Sequence, residues 1–157
     1  MVADTSPLVY LFYIDQIDLL PQLLGNVIVP AAVHTELCHP GAPAIVRDWA
    51  RQPRSWVKVH PVALIADPSL RSLGAGERAA LALASELPAD LILIDERKGT
   101  SVALSKGFED IGTLGVLSLA ARRGLVDLAD SFARLKRTNF RYTEKVMDEL
   151  LDERNDA

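Results

Sequence analysis

Apolar positions along the chain follow two rhythms. Short β-branched or continuous apolar runs alternate with longer stretches of three-and-four spacing, which predicts strands separated by helices. Met1-Val2-Ala3 reads as a first short strand that ends at Asp4-Thr5-Ser6-Pro7. Thr5 or Ser6 is expected to cap a helix running through Leu8, Val9, Leu11 and Phe12, with Pro7 at its first position. Leu19 to Leu24 forms a second short helical segment. Gly25-Asn26 then turns into Val27-Ile28-Val29, a β-branched run stopped by Pro30. Helices follow from about Ala31 to Cys38 and from Ala44 to Arg51, and Trp56-Val57-Lys58-Val59 reads as a strand.

In the second half, Gly76 to Leu87 has a strong helical pattern. Leu91-Ile92-Leu93-Ile94 is continuously apolar, as a strand buried on both faces would be, and Asp95 follows it directly. A helix is expected from about Arg97 to Ser105, and a short strand near Asp110-Ile111 runs into Gly112-Thr113. Leu114 to Arg122 is helical and stops at Gly124, and two more helices, about Leu128 to Arg137 and Thr143 to Glu153, complete the pattern. No repeat, low-complexity tract or linker divides the chain. Strands alternating with helices predict an α/β protein whose parallel sheet is covered on both faces.

Composition narrows the class. At 157 residues, 49% hydrophobic and 24% charged, the chain has the balance of a single ordinary globular domain rather than a disordered or fibrous one. The longest stretch without Asp, Glu, Lys or Arg, Leu19 to Thr35, is broken by Pro21, Gly25 and Pro30, so no membrane span is expected. Asp4 interrupts the start and no Lys or Arg precedes Arg47, which argues against a secretory signal. The single cysteine, Cys38, cannot form an intrachain disulfide, which suits a cytoplasmic location. The net charge of −4 argues mildly against a general nucleic-acid coat protein while leaving room for a local basic groove.

The candidate chemistry is acidic. Asp4 and Asp95 each end an apolar strand, and the carboxyl ends of strands are where open parallel sheets bind ligands. Either residue could equally cap the helix that follows it. Glu77 lies three and four residues before Ala80 and Leu81 in a helix whose buried stripe is Ala80, Leu81, Ala84 and Leu87, so its carboxylate is expected on the inward face. Its place in the first turn lowers the cost through the helix dipole. Glu36 repeats the pattern one turn after Ala32 and Val33, beyond the reach of that dipole. Four converging carboxylates repel unless some are protonated or a cation joins them. A hard divalent ion such as Mg²⁺ or Mn²⁺ prefers oxygen ligands and bridges carboxylates to phosphate.

Taken in order, the N-terminal strand-Asp-Thr-Ser, Val29-Pro30 to Glu36, Leu73-Gly-Ala-Gly-Glu77, Leu93-Ile-Asp95-Glu, Ile111-Gly-Thr-Leu-Gly-Val-Leu117 and Arg123-Gly-Leu resemble a PIN-domain protein, on the branch of VapC-type toxin ribonucleases. The resemblance covers most of the chain. It implies a single three-layer α/β/α domain with a central, mainly parallel sheet, residues from about 127 to 157 forming a C-terminal helical extension. It also implies a Mg²⁺- or Mn²⁺-dependent endoribonuclease, the toxin of a type II toxin–antitoxin pair, with an RNA substrate, a cognate antitoxin and a homodimeric state. By the same resemblance Asp4, Glu36, Glu77 and Asp95 are the catalytic, metal-binding acids. Ser6, Glu96 and Thr113 take supporting places. Glu77 stands where more familiar members have Asp, one methylene shorter, and Gly99 is expected to loosen the adjoining edge of the site.

RNA would also need cations. Arg97 and Lys98 adjoin the acids, and Arg134, Lys136, Arg137, Arg141 and Lys145 interleave with Phe140 and Tyr142, a mixture able to hold single strands but equally that of a solvated helix end. Other chemistries fit less well. His34, Cys38 and His39 lack a fourth zinc ligand. Gly74-x-Gly76-x-x-Ala79 satisfies a dinucleotide fingerprint but follows no strand. No Gly-x-Ser-x-Gly elbow is present. The rival from another class is a catalytically inactive PIN-like module that binds a protein partner.

Overall fold

The computed structural model describes residues 1–52, 54–63, 67–87 and 89–156. Among them five strands form one all-parallel sheet, β1 (Val2–Ala3), β2 (Val27–Pro30), β3 (Val57–His60), β4 (Leu91–Leu93) and β5 (Glu109–Ile111), in the order β3-β2-β1-β4-β5. β1 has only two residues yet lies at the centre, with Val2 in register with Ile28 on one side and Ile92 on the other. Alternation along the strands divides the interior. Val2, Ile92 and Ile94 face one core, while Ala3, Leu93, Val27 and Val29 face the other. The outer strands carry exposed Lys58 and Glu109, charges that discourage edge-to-edge pairing.

The smaller core is roofed by α5 (Ala75–Glu86) and α6 (Arg97–Ser105), through Ala80, Leu81, Leu83, Ala84 and Ala103. The larger core takes side chains from α1 (Thr5–Tyr13), α2 (Leu19–Leu24), α3 (Ala31–Cys38), α4 (Ala44–Arg51) and α7 (Thr113–Arg122). Phe132 and Leu135 of α8 (Leu128–Lys136) and Met147 of α9 (Glu144–Asp156) join it. The result is a three-layer α/β/α sandwich.

Most predicted elements occur within one or two residues of their expected ends, and the differences are local. Asp4, rather than Thr5 or Ser6, occupies the cap position of α1, and Pro7 is the third helical residue, still inside the turn whose amides need no helical acceptor. A 3₁₀ turn at Pro68–Leu70 was not signalled by periodicity. Asp67 holds it by accepting from the Ser69 amide at 2.9 Å and the Ser69 hydroxyl at 2.6 Å.

Gly99 corrects the expectation of a loosened edge. It is buried, and a β-carbon placed on it would collide with Ile94 Cδ1 and stand 3.3 Å from Glu77 Oε2. The absent side chain lets α6 approach β4 closely. Gly99→Ala is therefore expected to lower stability by about 1–3 kcal/mol through overpacking, despite alanine's better helix propensity. Urea unfolding at a fixed pH checks the loss.

Candidate active site

The order of strands reverses direction at β1, and this switch point opens beyond the paired carboxyl ends of β1 and β4. The Asp4 amide extends the pairing by donating to the Leu93 carbonyl at 2.9 Å, so its carboxylate is carried to the lip of the sheet. Asp4 is only 5% exposed and makes no side-chain capping bond to α1. Asp4 thus stands at the cap position of α1 without a side-chain capping bond, and capping does not account for its burial.

Glu36 reaches the same place from the second turn of α3. Its Oε2 accepts a hydrogen bond from the Thr5 hydroxyl at 2.5 Å. The tightest indication of convergence comes from Gly76, in the first turn of α5. A β-carbon there would lie 2.9 Å from Asp4 Oδ1 and 3.0 Å from each Glu36 carboxylate oxygen. Two acids carried past the carboxyl ends of neighbouring strands, one directly after β1 and one on the helix that follows β2, thus face one small space that any larger residue at 76 would fill. Glu77 follows at the third helical position, with Oε1 turned toward Gly74 and Oε2 toward Gly99. That Oε2 is buried and has no hydrogen-bond partner among the described residues.

Asp95 has a different environment. Oδ1 accepts from the Thr113 backbone amide at 2.7 Å and Oδ2 from the Thr113 hydroxyl at 2.6 Å. Asp95 therefore caps the start of α7, not of α6, whose cap residue is Glu96. Gly112 permits the approach, since a β-carbon on it would fall 2.6 Å from Asp95 Oδ1. Ser6 lies on the exposed side of the first turn of α1 and lines the adjoining groove; no hydrogen bond joins it to an acid among the described residues. In α1 the hydroxyl that bonds to one of the acids is that of Thr5.

The electrostatics record the crowding. Burial pushes the Asp4 carboxyl up from 3.8 to about 7, and the like charges of Glu77, Glu36 and Asp95 add to it, against the nearby Thr5 amide. Burial also raises Glu77, with the charges of Glu96 and then Glu36 acting the same way and Lys98 opposing them. Asp95 is raised by burial, partly offset by its two bonds from Thr113. Glu96 thus belongs electrically to Glu77. Among the described residues no three His, Cys, Asp or Glu side chains are already drawn together as a metal-binding group. Glu77, Asp95 and Glu96 border a groove of ≈ 900 Å³ that is lined, from later in the chain, by Asn139, Phe140 and Arg141.

The donor set is all oxygen, one buried oxygen is unpartnered, and Gly76 keeps open the space between Asp4 and Glu36. These features fit a hard divalent cation. They do not fit the zinc alternative. His34 Nε2 lies 3.0 Å from the Ala50 carbonyl, and His39 Nδ1 accepts from the Gly41 amide at 2.9 Å, so both rings have backbone partners.

A family model described as PIN domain matches residues 1–156. No curated protein and no solved structure matches the chain.

Proposed function

The chain belongs to the PIN-domain family, whose members are generally nucleases, and from that membership we propose that it is a Mg²⁺- or Mn²⁺-dependent endoribonuclease. The observation that carries the reading is the shared space at Gly76, where Asp4 and Glu36 meet without a cationic side chain between them, beside the unpartnered Glu77 oxygen. Asp4, Glu36, Glu77 and Asp95 would hold the ion, with Glu96 assisting Glu77. When bound, such an ion supplies an activated water and charge neutralisation for hydrolysis of an RNA phosphodiester.

The protein's own groups perform the remaining work. Thr113 holds both oxygens of Asp95, and Thr5 holds Oε2 of Glu36, so these two acids are oriented before any ligand arrives. Ser6 stands at the groove edge, where its hydroxyl can bond a ligand-bound water. Arg97 lines the same groove and offers a phosphate contact. We read the chain as one PIN-like domain with residues from about 127 onward as its C-terminal helical extension. We further assign it to the VapC-type toxins, acting in the cytoplasm as a homodimer held in check by a cognate antitoxin. No helix among the described residues is long and apolar enough to cross a membrane.

Paramagnetic resonance of Mn²⁺ with wild type and Asp4→Asn/Asp95→Asn tests the reading. Wild type is expected to bind the ion and the double variant to lose it while staying folded, and cleavage of RNA should disappear with the binding. A folded wild type that ignores millimolar Mn²⁺ would favour the inactive interaction module. Normal cleavage by Asp95→Asn would overturn the assignment of the acids.

A further inference from the structure

The groove bordered by the acids has a second wall that the acids do not explain. Residues 137–143, between α8 and α9, run along it as a short strap, and Phe140, Arg141 and Tyr142 line the same groove as Glu77 and Asp95. The strap is fastened at several points. The Tyr10 hydroxyl donates to Asn139 Oδ1 at 3.1 Å, and the Tyr10 and Phe140 rings meet edge to face with centroids 5.0 Å apart. The Phe140 amide donates to the Thr138 hydroxyl at 3.1 Å, and Lys136 pairs with Glu144 at 3.0 Å across the base of the loop. Tyr10 stands between the two walls: burial raises its hydroxyl pKa, the charge of Asp95 adds to this, and that of Arg141 opposes it. A loop held this way loses little further freedom when something binds to it.

What the strap presents is unusual beside a cluster of carboxylates. Arg141 is exposed and has no hydrogen bond or ion pair among the described residues. Tyr142 is 38% exposed, with the Lys136 ammonium 5.5 Å from its ring centre, which leaves the ring its other face. A polyanion entering the groove meets repulsion from the acids and needs cations on the facing side. An exposed aromatic next to a cation offers a base platform beside a phosphate contact, a combination that a duplex, with its base faces stacked away, cannot use. Past Asn139 the surface continues into a second hollow of ≈ 830 Å³ lined by Tyr13, Arg134 and Arg137.

We propose that the α8–α9 strap is the wall that selects single-stranded RNA, with Arg141 on a backbone phosphate, Tyr142 stacked on a base, and the strand leaving over Asn139 toward Arg137. The proposal rests on the ribonuclease reading for the choice of RNA, and it names residues outside the acid cluster. It is tested by binding, with cleavage suppressed by EDTA. Fluorescence anisotropy compares a labelled oligouridine of about ten nucleotides with an RNA duplex of equal length. Wild type is expected to prefer the single strand, and Tyr142→Ala to weaken that binding by about ten-fold while Tyr142→Phe retains it. Arg141→Ala and Arg137→Ala should each flatten the dependence of log affinity on log salt by about 0.7. Tyr142→Ala binding the single strand as tightly as wild type, with an unchanged circular dichroism spectrum, would overturn the proposal. So would a preference for duplex, or no binding of either at low salt. The Mn²⁺ experiment decides the nuclease reading independently, because none of these variants touches an acid. Metal binding with indifferent strap variants removes only the strap proposal. Strap-dependent RNA binding without metal binding removes only the nuclease.

Discussion

Asp4→Asn is expected to make the metal-free protein more stable at pH 8 while abolishing its activity. In the fold the Asp4 carboxyl keeps its proton up to about pH 7, whereas in the unfolded chain it ionises near 3.8. Between those values the native state binds the extra proton, so stability falls as pH rises through the window and the loss is complete above it. About three units of difference correspond to a cost on the order of 4 kcal/mol, with the raised carboxyls of Glu77 and Asp95 acting in the same direction. Asparagine does not ionise, and its amide can donate to the neighbouring carboxylates. Urea unfolding in EDTA at pH 5 and pH 8 should show a marked decline for wild type and a much shallower one for the variant. Adding Mn²⁺ at pH 8 should reverse their order, since an ion that binds only the native wild type stabilises it by mass action. A variant less stable than wild type at pH 8 without metal would mean that the Asp4 carboxylate is already well partnered, and the argument for a cation would fail.

Gly76→Ala is the second large effect, and it separates site from fold. The added methyl would occupy the point that lies 2.9 Å from Asp4 Oδ1 and 3.0 Å from both Glu36 oxygens. Only the tips of two side chains must give way, so the cost to folding is small and partly offset by alanine's lower backbone entropy in α5. The space between the acids does not survive. Mn²⁺ affinity is expected to fall by roughly a hundred-fold or more, in the range of other disturbances to ligand orientation or beyond it, with a thermal midpoint close to that of wild type. Retained Mn²⁺ affinity in a folded Gly76→Ala protein would show that the ion, if bound, does not lie between Asp4 and Glu36.

The layered α/β architecture was legible because it depends on local rhythm. The apolar runs at Val27 and Leu91 could hardly be anything but buried strands, and the spacing in Gly76 to Leu87 fits one helix face. Strand order was not legible in that way, since β1 gives only two residues to reveal that it is the middle of the sheet. The acids were visible one at a time, from carboxylates at strand ends or on inward helix faces. Their mutual arrangement was not. Thr5 looked like a helix cap, and its bond to Glu36 depends on β1 and β2 lying side by side. Gly76 looked like part of a glycine fingerprint, and only the fold shows that its missing side chain makes room for two carboxylates. Gly99 was read by propensity as a weak point, whereas tertiary packing makes it a close contact. Phe140 to Tyr142 had a recognisable composition but no evident location, because some 45 residues separate them in sequence from Asp95.

The placement of β1 also governs when the protein can acquire its chemistry during synthesis. Its first neighbour, β2, arrives within about thirty residues, but the other, β4, is ninety residues away, and such distant pairings form late. Until β4 docks, the Asp4 amide lacks the Leu93 carbonyl that fixes it at the lip. Asp95 in turn waits for Thr113 to hold it. A ribosome-bound chain that has released its first half therefore carries Asp4, Glu36 and Glu77 without an assembled centre. The cleft appears only when the last strand and the helix behind it have folded, so the same topology that unites the acids delays their union to the end.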